Sequence, residues 1–166
     1  MRDATGRGRG PDWRPWRALA LLGLVPVLAV VAAGTLGPPA IAEAACTLLL
    51  RAAGHLPGGG WPTTYSGVQS MANGVMFVPV GALLVLGSRP ARWPLAVLAG
   101  PAVSLGVETA QRWIPGRVPD GFDLLSNSAG SVLGCLLGGA VVGVLALGSA
   151  LVRLARPGLR APQPVR

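Results

Sequence analysis

The sequence predicts an all-α, polytopic integral membrane protein: four transmembrane helices plus a short amphipathic helix lying at the membrane interface. Three observations carry this prediction. About half of the 166 residues are hydrophobic and only 12% are charged, against roughly 25% charged in a soluble domain. The apolar residues gather in four long runs, and about 19 helical residues at 1.5 Å each span about 28 Å, close to the hydrocarbon thickness of a bilayer. The positive charge, all of it arginine, flanks those runs instead of interrupting them.

Residues 1–17 read as a basic, disordered tail, with Arg2, Arg7, Arg9, Arg14 and Arg17 among glycines and prolines. Trp13 and Trp16 stand where an interfacial aromatic anchor belongs. The first run, Ala18 to Leu36, holds no charge, and Pro26 is a candidate kink. A secretory signal peptide is its rival reading, with small residues around Ala42-Glu43-Ala44 as a cleavage site. The run is long for such a segment, and a span there makes the topology consistent.

Within the connection that follows, Ile41 to Ala53 has helical periodicity. Glu43, Thr47 and Arg51 fall on one face, and Ile41, Ala45, Leu48 and Ala52 on another, the pattern of a helix lying on a membrane surface. Pro57 to Tyr65 is a turn-rich loop. The second span is predicted over Val68 to Leu86, the third over Pro94 to Trp113, and the fourth from Asp123 to Val152. The fourth is longer than a bilayer requires and so tilts or projects. The membrane domain is therefore residues 18–152, and 153–166 form a second basic tail with Arg153, Arg156, Arg160 and Arg166.

Orientation follows from the arginines. Both tails and the short loop with Arg89 and Arg92 are strongly basic. The other two connections balance Arg51, Arg112 and Arg117 with Glu43, Asp120 and Asp123. Both termini and the middle loop are thus expected in the cytoplasm. The net charge of +8 does not argue for nucleic acid, because the arginines form no single face interleaved with aromatics. Cys46, expected in a loop, and Cys135, deep in the fourth helix, read as small apolar fillers; they form neither a disulfide nor a metal-ligand spacing with His55. No cofactor or metal is expected, and membrane lipid is the expected surrounding partner.

The apolar runs contain polar residues that need a reason. Glu108 and Gln111 lie three apart on one face of the third span. Asp123 and Asn127 lie four apart at the start of the fourth, sharing a face with Gly130 and Gly134, a G-x-x-x-G step for close helix approach. Asn73 lies a turn into the second span, followed by Phe77, Pro79 and Gly81. Topology puts Asn73, Glu108, Gln111, Asp123 and Asn127 at one depth, and the loop adds Arg117 and Asp120. A carboxylate in hydrocarbon costs a few kcal/mol, so this cluster must face partners or a wet cavity. One reading is a polar pocket near the outer leaflet. The other is structural: Arg117 pairing with Glu108 or Asp123, Asp123 capping its helix, and the amides bridging helices. Two carboxylates also raise acid–base catalysis, but no nucleophile–base pair or metal set accompanies them.

The pattern Glu108-x2-Gln111-x5-Arg117-x2-Asp120-x2-Asp123-x3-Asn127-x2-Gly130-x3-Gly134 resembles the signature of the VanZ-like family. The stretch Asn73-x3-Phe77-x-Pro79-x-Gly81 is similar to its second-span motif, and Pro115 and Gly116 before Arg117 also fit. The resemblance covers Ala18 to Val152. It departs at Arg112, where members often have an apolar residue, and at a less bulky start of the fourth span.

The resemblance implies a small bacterial membrane protein of about four spans, in a family whose founding member is associated with low-level teicoplanin resistance. The composition is compatible with an actinobacterial genome. The leading expectation is a non-catalytic protein that engages a cell-wall precursor, lipid headgroup or glycopeptide at the outer leaflet. In it Arg117 meets an anionic group, Glu108 and Asp123 hold Arg117 or receive a cation, and Asn73, Gln111 and Asn127 exchange hydrogen bonds. Pro79, Gly81, Gly130 and Gly134 serve helix packing. The alternatives are an enzyme or transporter of envelope material that uses Glu108 or Asp123, and a structural assembly partner.

Overall fold

The computed structural model describes residues 13–53, 55, 64–116 and 120–155. Residues 1–12 and 156–166 of the basic tails, most of the glycine-rich loop and Arg117 lie outside them. The tails' inner residues do not: Arg14 to Arg17, expected in a disordered tail, form the first turn of α1, and residues 153–155 continue α5. Among the described residues every regular element is helical: α1 (Arg14–Leu36), α2 (Pro39–Ala53), α3 (Tyr65–Gly87), α4 (Trp93–Gln111) and α5 (Gly121–Ala155). One turn of 3₁₀ helix, Pro90–Arg92, links α3 to α4.

Each helix starts and stops for local reasons. Pro15 sits in the first turn of α1, where its missing N–H costs nothing. The Thr64 hydroxyl caps α3, accepting from the Gly67 N–H at 3.2 Å. Pro94 opens α4 in the same way as Pro15 opens α1.

α1, α3 and α5 are long and apolar enough to cross a membrane. α4 has 19 residues, but Pro94, Pro101, Glu108 and Gln111 lower its mean hydropathy, so length and composition single out three spans among the described residues. α5, at 35 residues, is about 52 Å long, well beyond the roughly 30 Å that a span needs.

The helices run up and down. Along the α3–α5 seam, Gly130 approaches the Gly74 carbonyl, Gly134 that of Val78 and Gly138 that of Ala82. Residue numbers rise together on both sides, so α3 and α5 are parallel. α4 runs the opposite way beside α5: Trp93 lies near Gly139, Gly100 near Ser131, and Ser104 against Asn127. α1 is antiparallel to α3, with Gly23 facing Leu83 and Gly34 facing Met76.

The α3–α5 seam is the most extensive contact in the molecule, and its glycines are the reason. A Cβ at Gly130 or Gly134 would overlap backbone of α3, and one at Gly81 would overlap the Ser131 carbonyl. Small residues let the two backbones touch, which is how membrane helices gain packing without a hydrophobic drive between them. Of the four residues expected to serve packing, Pro79 does not: it is exposed on the outer side of α3. Its effect is on its own helix, where it supplies no N–H to the Val75 carbonyl.

The apolar core is thin: Val31, Phe77 and Val80 form one cluster, and Val85, Ala96 and Cys135 another. Most large apolar side chains point outward, including Leu22 and Val25 on α1, Leu95, Leu98 and Leu105 on α4, and Leu136 and Val144 on α5. In water that surface would drive aggregation; in lipid it is the solvent-facing side.

α2 corrects one expectation. Cys46 lies within this helix and is buried, not in a loop; both cysteines are free. Ala42, Ala45, Cys46 and Leu49 of α2 line the cleft beneath it, while Ile41 and Leu48 of the expected apolar face are exposed, as are the other large apolar side chains on the outside of the bundle.

A candidate polar binding site at one end of the bundle

The antiparallel arrangement brings the end of α1, the start of α3, the end of α4 and the start of α5 to one level. That level collects the polar residues. Glu108, Gln111, Asp123 and Asn127 are all buried, and Asn73 is half-buried.

They divide into two groups. At the α4–α5 junction, the Asp120 carboxylate accepts from the Phe122 N–H at 2.9 Å and so caps α5. The Asp120 backbone N–H donates to Glu108 Oε2 at 3.1 Å. This reproduces the reciprocal bonds of a capping box, with a glutamate from another helix in place of one inside α5. The capping expected of Asp123 is therefore done by Asp120. Deeper in the same seam, Asn127 Nδ2 donates to Ser104 Oγ at 3.0 Å.

The second group lies between α1, α2 and α3. Asp123 turns toward α3 and accepts from Gln69 Nε2 at 3.0 Å. Gln111 Nε2 donates to the Thr35 carbonyl at the end of α1 at 2.9 Å. Gln69, Asn73, Gln111 and Asp123 line one cleft of about 380 Å³, whose remaining walls are Met71, Val75, Met76, Leu49 and small residues of α1 and α2. Of the seven expected site residues the structure thus brings Asn73, Gln111 and Asp123 into the cleft and puts Glu108, Asp120 and Asn127 on the α4–α5 seam. Arg117 falls outside the described residues.

Gln69, Ser104, Ser131 and Thr35 are participants that the sequence reading missed. The first three were within reach: each lies four residues from a singled-out position, Asn73, Glu108 and Asn127 respectively, and so on the same helix face. Thr35 had no such signal, since it contributes only a backbone carbonyl.

Several polar atoms of the group are left over, the Ser131 hydroxyl among them. Glu108 Oε1, Asp123 Oδ1 and Asn127 Oδ1 are buried with no hydrogen-bond partner among the described residues. Buried carboxylate and amide oxygens left so are costly, and they suit a ligand or side chain that brings N–H or O–H groups. Asp123 also lies in the first turn of α5, where the helix dipole favours negative charge. Among the described residues no three His, Cys, Asp or Glu side chains converge as metal ligands.

The VanZ/LLP1 family model matches residues 40–142, more than half of the chain. The chain belongs to this family. No curated protein and no solved structure matches it. The matched VanZ-like segment takes in α2, α3, α4, all seven expected site residues and the three glycines of the α5 seam. α1 lies outside it, yet α1 supplies the Thr35 carbonyl that holds Gln111 and one wall of the cleft.

One consequence is measurable. Gln111→Leu removes the donor to Thr35 and is expected to lower stability by about 1 kcal/mol, the size of one interhelical hydrogen bond. Thermal melting in detergent checks this, and an unchanged melt would mean that α1 docks without the bond.

Proposed function

We propose that this VanZ-like protein spans the bacterial cell membrane four times, with both termini cytoplasmic and α2 at the outer interface. There it binds the polar end of an amphiphilic envelope molecule: a cell-wall precursor, a lipid headgroup or a glycopeptide. The expected consequence is altered susceptibility to teicoplanin.

The cleft beneath α2 carries this reading. Its walls are apolar and suit a chain or ring, while Gln69, Asn73, Gln111 and Asp123 line it together and supply the polar groups that would meet hydroxyl, amide or ammonium groups. Fourfold crossing is supported by α4, which runs back between two parallel helices and exposes Leu95, Leu98 and Leu105 outward. Orientation is supported by the arginines around Arg89 and Arg92, at the end opposite the cleft.

The test is teicoplanin and vancomycin susceptibility in a host expressing the wild type, Asn73→Leu, Arg117→Ala or Glu108→Gln, with membrane levels compared by immunoblot. The wild type is expected to raise teicoplanin tolerance, and Asn73→Leu and Arg117→Ala to lose that gain at equal abundance. One lost hydrogen bond of about 1 kcal/mol weakens binding roughly fivefold.

A second reading rests on the bonds that Glu108, Gln111, Asp123 and Asn127 already make within the protein. They would then serve helix register alone. In that case the variants fail only through lost protein, and the wild type leaves susceptibility unchanged.

A further inference from the structure

The opposite end of the bundle holds a second, larger hollow of about 780 Å³, within the roughly 300–1,000 Å³ range of pockets that take a whole small ligand. It lies between α1 and α5, two helices that make no extensive contact with each other. Ala20, Leu83, Leu86, Leu145 and Ala146 form its apolar walls, and Trp16, Arg17 and Trp93 also line it.

Charge is one-sided here. Arg17 lines the groove, and Arg14, Arg89 and Arg92 belong to the same end of the bundle. The described acidic residues, Glu43, Glu108, Asp120 and Asp123, all lie toward the other end, on α2, the last turn of α4 and the start of α5. Trp93 adds an unused donor: its benzo edge packs on Gly139, while Nε1 is sheltered from solvent with no acceptor among the described residues. A buried indole N–H ordinarily finds a partner.

We infer that this groove is a binding site for a phospholipid with an anionic headgroup, one acyl chain lying between α1 and α5 and the phosphate held by Arg17 and the Trp93 Nε1–H. The apolar gap suits the chain, the arginine suits the phosphate, and tryptophans belong at headgroup level. The leaflet, the inner one, rests on the orientation proposed above. The site itself does not, and its failure would leave the cleft beneath α2 untouched.

The purified full chain in neutral detergent, titrated during native mass spectrometry, tests this. The probes are dioleoyl phosphatidylglycerol, dioleoyl phosphatidylcholine and glycerol phosphate. Phosphatidylglycerol is expected to bind about tenfold tighter than phosphatidylcholine, and Arg17→Gln to erase that preference. Ala146→Phe, which fills the groove, is expected to weaken both lipids. Trp93→Phe removes the donor together with the benzo edge beside Gly139, so a small fall in the lipid-free melting temperature is expected, and the readout is a loss of phosphatidylglycerol binding larger than that of phosphatidylcholine. Arg51→Gln, on α2, is expected to leave both lipids alone. Equal retention of the two lipids, unaltered preference in Arg17→Gln, or glycerol phosphate binding as tightly as the lipid would each overturn the assignment.

Discussion

Gly134→Ala is expected to cost about 3 kcal/mol, the upper end for an overpacked contact, and to deplete folded protein from the membrane. A single methyl group at this position would overlap the Val78 carbonyl, and one at Gly130 would overlap that of Gly74. Those are backbone atoms that cannot rotate away, so α3 and α5 must move apart along their whole seam. Packing at that seam is the main attraction available, because lipid removes the hydrophobic drive between helices. Gly143→Ala is the control, since nothing lies within 4 Å of the added carbon; it is expected to be neutral or slightly stabilising through helix propensity. Yield of monodisperse protein in detergent and its melting temperature separate the two. A Gly134→Ala protein that melts with the wild type would show that the helices do not meet in this register.

Glu108 offers the second large effect, and two substitutions divide its possible roles. Glu108→Ala leaves the Asp120 N–H, at the cap of α5, without its acceptor, and is expected to cost about 1–3 kcal/mol. Glu108→Gln keeps an acceptor oxygen at the same place, so its melting temperature is expected to stay near that of the wild type. If Glu108→Gln folds normally yet abolishes the teicoplanin phenotype, the carboxylate acts through its charge. If both variants behave alike in the melt, the bond to Asp120 is not what secures the α4–α5 junction.

Much of the fold could be read along the chain. The expected spans agree with α1, α3 and α5 to within a few residues at each end, because uninterrupted apolar runs closed by Arg, Pro or Thr leave the helix little choice. α4 was harder. Glu108 and Gln111 make it too polar to be a span by composition, and only its place between parallel helices argues for a crossing. α2 was found by its periodicity, but that it closes a cleft with Ala42, Ala45, Cys46 and Leu49 was not foreseen. Small residues carry little hydrophobic signal, though they allow the closest approach.

The sequence by itself determined that the protein lives in a membrane, which segments are helices, and that its polar residues share one depth. These properties depend on composition, on period and on distance along a single helix, all local quantities. The tertiary structure decided which polar groups meet. It separated Asn73, Gln111 and Asp123 from Glu108, Asp120 and Asn127, gave the cap of α5 to Asp120 with Glu108 as its support, and set the cleft beneath α2. Those outcomes depend on how far one helix slides and turns against another. That register is set by contact between glycines and carbonyls more than fifty residues apart, which no periodicity within a single helix contains.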